Sequence, residues 1–218
     1  MGSNLNNAVP VVVGIGEVLW DILPQSRLPG GAPANVVFHC RQLGVESYLV
    51  SEFGKDDLGS EMKSVLRDLM FRPDFLTINE DYPTGTVSVR LDAMQNPRYE
   101  IQENVAWDHI RWSAHLENLA RRADAVCFGS LAQRSAVSRE TIYRFLECTR
   151  PDCLRVFDIN LREPYPDSAV LLASLEKANV AKLNIDELDY LSGLLQLTGT
   201  VRNRLTHMIH MSICPALP

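Results

Sequence analysis

Short apolar runs alternate along most of the chain with segments whose apolar residues recur at helical spacing. Residues 11–16 predict a buried strand that leads into a loop at 17–31, and residues 33–43 predict a helix closed by Gly44. The same alternation predicts strands at 46–53, 124–128, 154–158 and 180–183, and helices at 57–70, 113–121, 139–148 and 185–195. Strands separated by helices of this length predict a parallel sheet with crossover helices.

The rhythm changes between residues 77 and 103. Residues 84–91 alternate polar and apolar side chains, residues 95–97 predict a turn, and residues 98–102 predict a second strand. We therefore expect two antiparallel strands within about residues 73–103, inserted in the α/β series as a flap or edge sheet near a site.

The loops that follow the parallel strands are the first place to look for a ligand site, because ligands collect at the carboxyl ends of such strands. These loops begin after Gly16, Phe53, Gly129 and Asp158. Each of them contains glycine or polar residues.

The last stretch differs in composition. Residues 197–218 contain none of the 27 acidic residues of the chain, and no clear pair of strand and helix follows from their pattern. We therefore predict a core at 11–195 and an atypical tail at 196–218, which is disordered, altered, or a marginal helix.

Composition and charge narrow the function classes. With 218 residues and 46% hydrophobic positions the chain can form one full-sized core. A formal net charge of −6 argues against nucleic acid or an anionic membrane as the main partner. No apolar run is long enough to cross a bilayer, and the first residues lack the pattern of a signal peptide, so we expect a cytoplasmic protein.

The spacing of the cysteines and histidines does not indicate a metal site or a disulfide framework. The five cysteines form no CxxC pair, and we interpret most of them as small buried apolar residues of a reducing compartment. Only His207 and His210 are close in sequence, and they have no acidic or cysteine neighbours. We expect no histidine metal site.

Two nucleotide-binding motifs are incomplete in this sequence. Gly14 and Gly16 suggest the start of a dinucleotide fingerprint, but Leu19 stands where the third glycine belongs. A Walker-type phosphate loop fails because Asp56 follows Gly54 and Lys55. The glycine pair at Gly30 and Gly31 before a helix start is better suited to a close approach between backbone and ligand, although a simple tight turn gives the same spacing.

The segment at 30–54, GGAPANVVFHCRQLGVESYLVSEFG, resembles the first signature of the PfkB family of ribokinase-like carbohydrate kinases. It has a glycine pair, Asn35 four residues after Gly31, and Gly44 and Gly54 at the family's intervals; Val37 departs from the preferred small residue. Other pieces follow in the family's order: GEVLWDILP at 16–24, GKDDLG at 54–59, FGSL at 128–131, DINLR at 158–162 and NIDE at 184–187. The resemblance covers about residues 11–195 and favours the fructokinase branch.

The resemblance implies a fold class and a sugar site. The fold would be ribokinase-like α/β, with a mostly parallel sheet flanked by helices and a small antiparallel β lid. Asp21 would accept hydrogen bonds from sugar hydroxyls, and a turn or cap is the structural alternative for it. Gly31 and Asn35 would add a backbone and an amide contact, and Gly30 would allow their approach.

The resemblance also implies a phosphate site. Arg162 would stabilise charge on the transferred phosphate, with a surface ion pair as the alternative. Asn184 and Glu187 would help to organise ATP and Mg²⁺, and Glu187 would act on the metal through water. The same two residues also fit an N-cap and a capping box, and both interpretations can hold together.

The family's second signature, a Gly-Ala-Gly-Asp run that supplies the catalytic base, is absent from the printed sequence. We therefore expect the C-terminal part of the fold to be missing, and we expect the chain alone to lack the base and the ATP site. The implied function is ATP-dependent phosphorylation of fructose to fructose 6-phosphate. A non-catalytic sugar-binding module remains an alternative, as does a kinase for ribose, ketodeoxygluconate or a nucleoside. An exposed lid edge would allow a homodimer.

Overall fold

The computed structural model describes residues 9–91, 97–162, 164 and 167–213, with side chains described outside 89–98 and 210–213. The strands are β1 Val11–Ile15, β2 Leu19–Leu23, β3 Ser26–Gly30, β4 Glu46–Gly54, β5 Leu76–Asn79, β6 Gly85–Leu91, β7 Pro97–Ile101, β8 Ala125–Gly129, β9 Leu154–Asp158 and β10 Val180–Lys182. The helices are α1 Ala32–Gln42, α2 Asp57–Asp68, α3 Ala114–Arg122, α4 Ala136–Glu147, α5 Ser168–Lys177, α6 Ile185–Leu194 and α7 Val201–Ile213.

Six strands form one large sheet in the order β10-β9-β8-β1-β4-β5, and every neighbouring pair is parallel. The predicted parallel sheet with crossover helices is therefore confirmed. The strands β9, β8, β1 and β4 are consecutive in the sheet, so the four loops singled out from the sequence leave from adjacent positions along its carboxyl edge.

A second, four-stranded sheet has the order β3-β2-β6-β7. Its outer pairs are antiparallel, whereas β2 and β6 run parallel, with Leu19 opposite Gly85 and Asp21 opposite Val87. The predicted antiparallel pair at 84–91 and 98–102 is thus present as β6 and β7. It forms half of a mixed sheet that joins the large sheet at the carboxyl ends of β1 and β4.

The prediction of a loop at 17–31 was wrong, because residues 19–30 form the β2–β3 hairpin. The loop was predicted because the apolar run at 11–16 ends in glycine. The hairpin is instead stabilised by pairing with β6, which is distant in sequence. The short edge strand β5 and the helix α5 were not predicted from the sequence either.

Three of the helices begin directly after a short polar side chain that caps them. Asp56 accepts a hydrogen bond from Gly59 N before α2, Ser113 accepts one from Leu116 N before α3, and Asp167 accepts from two amides of α5. Each cap satisfies amide groups that have no partner within the helix.

The core lies on both faces of the large sheet. One apolar cluster contains Phe128, Phe157 and Trp107, and a second, smaller cluster packs β2 and β4 against α1 and α2 around Trp20 and Met62. The second cluster fixes one face of β2, so the alternate side chain Asp21 is turned toward the opposite face.

The acid-poor C-terminal stretch contains a helix in the described part of the chain. The side chain of Arg204 on α7 pairs with Asp189 of α6, and Met208 belongs to the main core. The division into a core at 11–195 and a separate tail remains a prediction.

Candidate active site at the carboxyl edge of the sheet

Asp21 and the glycine pair meet in the β2–β3 hairpin. Leu19 lies opposite Gly30 in the antiparallel register, and a Cβ atom added to Gly30 would collide with the carboxylate of half-buried Asp21. Gly31 follows with φ 116°, a conformation that side-chain-bearing residues rarely adopt. Asp21 is therefore a strand residue whose carboxylate lies against the glycine turn, rather than a helix cap.

Glu17, which follows β1, holds the other side of this turn. Its side chain is 1% exposed, and Oε1 accepts a hydrogen bond from Ala32 N at 3.1 Å, at the first position of α1. Its second oxygen, Oε2, has no hydrogen-bond partner among the described residues. Burial raises the pKa of Glu17 to about 7, and nearby Asp158 adds to this rise against opposition from hydrogen bonds and Arg162.

Asn35 lies in the first turn of α1, where its backbone amide donates to Gly31 O at 3.0 Å. Its exposed side chain lines a cavity of about 250 Å³, together with Gly30, Phe38 and Phe71. Asp21 is not among the lining residues of this cavity. The structure thus places Asn35 beside the glycine turn, and its sugar contact remains a prediction.

The DINLR segment that carries Arg162 is held by its neighbours. Ser130, from the FGSL piece, donates its hydroxyl to Ile159 O at 2.7 Å, and Ile159 N donates to Lys182 O at 3.1 Å. Asn160 has φ 41°, the left-handed region that Asn tolerates better than most residues. The segment is therefore fixed in a sharp bend just after β9.

Asn184 and Glu187 form the capping box at the start of α6. Glu187 N donates to Asn184 Oδ1 at 2.9 Å, and Asn184 N donates to Glu187 Oε2 at 2.8 Å. The other carboxylate oxygen of Glu187 accepts from Leu161 N at 3.0 Å. The NIDE piece therefore positions the backbone next to Arg162, which the sequence analysis did not predict.

These contacts limit how Glu187 could act on a metal. Glu187 is 6% exposed, and each of its oxygens already accepts a backbone amide. In the described part of the chain, no group of three or more His, Cys, Asp or Glu side chains could hold a metal ion. A direct ligand role does not fit, whereas a contact through water of a hydrated Mg²⁺ fits the remaining lone pairs.

Arg162 links the two halves of the site electrostatically. Its exposed guanidinium donates to Leu161 O at 2.9 Å. Burial raises the pKa of Asp21, and the positive charge of Arg162 opposes this rise. The same charge acts on Glu17. An acid suited to binding hydroxyls and a cation suited to phosphate thus lie within electrostatic reach of each other.

A compact junction connects β6 to the large sheet. The carboxylate of Asp56 accepts hydrogen bonds from Thr84 N at 2.8 Å, from Thr84 Oγ1 at 2.7 Å and from Gly59 N at 2.7 Å. Thr84 Oγ1 in turn accepts from Gly54 N at 2.9 Å. The GKDDLG piece is therefore the anchor of the second sheet.

The predicted residues fall into two groups. Asp21, Gly30 and Gly31 form one, and Arg162, Asn184 and Glu187 form the other. Glu17 was missed, although a charged residue directly after a buried strand, within an otherwise apolar stretch, was an available signal.

A parallel sheet flanked by helices, a small sheet attached at its carboxyl edge, and a site of acid, glycine turn and arginine define a ribokinase-like α/β protein. The model of the pfkB family carbohydrate kinases matches residues 16–212. The chain belongs to this family.

Individual relatives agree with this assignment. A putative sugar kinase of Pyrococcus horikoshii is 28% identical over 93% of this chain and 71% of its own length. A fructokinase of Salmonella typhimurium is 31% identical over 82% of this chain, which spans 61% of that enzyme.

Solved structures show the same fold. The Pyrococcus horikoshii sugar kinase in complex with ATP has a TM-score of 0.71 and 28% identity, covering 84% of this chain and 66% of that one. The Xylella fastidiosa fructokinase with bound ATP has a TM-score of 0.79 and 23% identity, covering 94% and 66%. The chain thus spans about two thirds of these structures.

In the part of the chain that the structure describes, no helix is both long and apolar enough to cross a membrane.

Proposed function

We propose that this chain is the sugar-binding part of an ATP-dependent kinase that phosphorylates a sugar hydroxyl, with fructose as the substrate. The observation that carries the proposal is the half-buried carboxylate of Asp21 against the Gly30–Gly31 turn, within electrostatic reach of Arg162. Membership of a carbohydrate kinase family and the 31% identity to a fructokinase support the reaction and the sugar.

In this proposal Asp21 accepts hydrogen bonds from two sugar hydroxyls, because a carboxylate offers paired acceptors for a diol. Gly30 and Gly31 let the backbone approach the sugar without a side chain between them. Asn35 adds an amide contact from the first turn of α1. The small sheet acts as a lid that excludes water from the reacting groups.

Arg162 stabilises negative charge on the transferred phosphoryl group. Its backbone is positioned by the hydrogen bond from Leu161 N to Glu187. Mg²⁺, when bound through water near Glu187 and Asn184, would neutralise phosphate charge. ATP as the donor is supported by the ATP complex of the Pyrococcus horikoshii relative, at 28% identity.

We propose that sugar binding and turnover are separable in this chain. The printed sequence has no Gly-Ala-Gly-Asp run to supply a base for the acceptor hydroxyl. Loss of such a base costs roughly 10² to 10⁴ in rate. We therefore propose that the 218-residue polypeptide binds the sugar and does not by itself bind ATP or turn over. A cytoplasmic location and a homodimer through the lid also remain predictions.

Calorimetric titration tests the proposal. We expect the folded chain to bind fructose and to give no heat with ATP and Mg²⁺. Asp21→Asn should weaken fructose binding about tenfold to a hundredfold, because hydrogen bonds to a charged acceptor are lost. Asp152→Asn is the matched control, since Asp152 pairs with Arg150 on the surface. Equal fructose affinity for both variants would contradict the role of Asp21.

A further inference from the structure

Glu17 occupies a central place between the large sheet and the glycine turn. It follows β1 after Gly16, and β1 has β8 on one side and β4 on the other. Its carboxyl Oε1 accepts the hydrogen bond from Ala32 N at 3.1 Å. Gly31, the N-cap of α1, supplies no side-chain cap of its own, so the Glu17 side chain takes this role from another element.

The backbone of Glu17 packs against the same turn. A Cβ atom on Gly31 would collide with the carbonyl oxygen of Glu17, and Gly31 has φ 116°. The side chain and the main chain of Glu17 therefore both contact the turn that is expected to approach the sugar. A movement of Glu17 is therefore expected to shift Gly31 and Ala32, which it contacts directly.

The second oxygen of Glu17 makes this contact depend on whether the carboxyl group is protonated. Oε2 is buried and has no hydrogen-bond partner among the described residues. The charged and titratable groups that act on Glu17 are Asp158, Arg162 and Cys127. The hydrogen bond from Ala32 N favours the ionised carboxylate, but burial favours the protonated form and outweighs it. A negative charge on such a buried group is costly unless the packing opens and water reaches it.

We infer that Glu17 is a positioning residue for sugar binding: in its protonated form it holds the Gly30–Gly31 turn against the amino end of α1, and its ionisation loosens that turn. The inference rests on the proposed sugar-binding function. Burial raises the pKa of Glu17 to about 7, so the change falls near neutral pH. Glu17 is not expected to touch the sugar, since its side chain is 1% exposed.

The test compares fructose dissociation constants between pH 5.5 and 8.5 for the wild-type chain, Glu17→Gln and Glu17→Ala. Glutamine keeps an oxygen that can accept from Ala32 N and cannot ionise. We expect wild-type affinity to fall about tenfold from its low-pH value by pH 8, as the competent fraction falls. Glu17→Gln should stay near the low-pH value throughout, and Glu17→Ala should bind at least about tenfold more weakly at every pH.

Two further measurements isolate the role of Glu17. The control Glu147→Gln, an exposed partner of Lys177, should keep the wild-type pH profile. Hydrogen exchange of the Ala32 amide, measured without sugar, should accelerate above pH 7 in the wild type beyond its intrinsic pH dependence, and should not do so in Glu17→Gln. This readout stays informative even if Glu17→Ala does not fold.

The outcomes separate the two claims. Fructose binding with parallel pH profiles in the wild type and Glu17→Gln would overturn the role of Glu17 and leave the proposed function standing. A folded wild-type chain that bound no fructose at any pH would overturn the proposed function, and with it this role.

Discussion

At the scale of single residues, the two acidic residues near the glycine turn differ in burial and in hydrogen bonding. Asp21 is half-buried and lies within electrostatic reach of Arg162. Glu17 is buried, and one of its carboxylate oxygens has no hydrogen-bond partner among the described residues. Burial raises the pKa of both groups, to about 7 for Glu17. The exposed edge of Asp21 is suited to ligand contact, and Glu17 is suited to holding the structure beneath it.

The raised pKa of Glu17 predicts a pH-dependent stability. The folded chain holds the proton more tightly than the unfolded chain, whose ordinary value is 4.5. The associated stability is therefore complete below pH 4.5 and is lost as pH rises to about 7. Relative to Glu17→Gln, the wild-type free energy of unfolding should fall by on the order of 3 kcal/mol over that window.

Urea unfolding of both proteins at pH 5, 6, 7 and 8 measures this difference. Curves of stability against pH that stay parallel would show that Glu17 ionises normally in the folded chain. Glu147→Gln, an exposed carboxamide, should track the wild type and so controls for the chemistry of the substitution.

Sequence patterns anticipated some residues of the site better than others. The capping box at Asn184 and Glu187 was predicted because it depends on a local spacing of three residues, and it is confirmed. The contact from Glu187 to Leu161 N was not predicted, because it joins segments 26 residues apart. Glu17 was missed for the same reason: its side chain contacts the start of α1, 15 residues further along the chain.

At the scale of elements, the junction between the two sheets depends on Asp56. Although burial opposes it, hydrogen bonds from Thr84 and Gly59 lower the pKa of Asp56. Its contribution to stability is therefore present above the ordinary value of 3.8 and is lost as pH falls below it. One carboxylate caps α2 and holds the start of β6 at the same time.

Asp56→Ala should lower the free energy of unfolding at pH 7 by about 3 kcal/mol. The estimate combines loss of an N-cap, about 1 kcal/mol, with about 1–3 kcal/mol for the buried Thr84 groups left without an acceptor. The neighbouring Asp57→Ala is the matched control and should cost less than about 1 kcal/mol, because Asp57 is exposed in the first turn. Similar losses in both variants, measured by denaturant unfolding, would contradict the anchoring role.

Most parallel strands and crossover helices could be predicted, because each element has its own apolar period. The β2–β3 hairpin could not, since Leu19 finds its parallel partner at Gly85 and local composition around Pro24 favours a turn. The strand β5 is four residues long, too short for its pattern to stand out. The helix α7 lies in an acid-poor segment and gains its place by packing on α6.

At the scale of the whole molecule, Arg162, Asn184 and Glu187 follow strands of the large sheet, and Asp21 lies on the second sheet. The positive charge of Arg162, after β9 of the large sheet, acts on Asp21 of the second sheet and opposes the rise in its pKa that burial causes. In the proposed function, sugar binding can therefore be tested apart from phosphoryl transfer.

The most direct test of the central claim is a titration of the ¹⁵N-labelled chain with fructose, followed by the amide chemical shifts. We predict saturable changes at Asp21, Gly30 and Gly31, with smaller changes at Arg162. Changes confined to another surface, such as the pocket on α4 that Arg139 and Tyr143 line, would contradict the account. So would a folded chain whose spectrum did not respond to fructose.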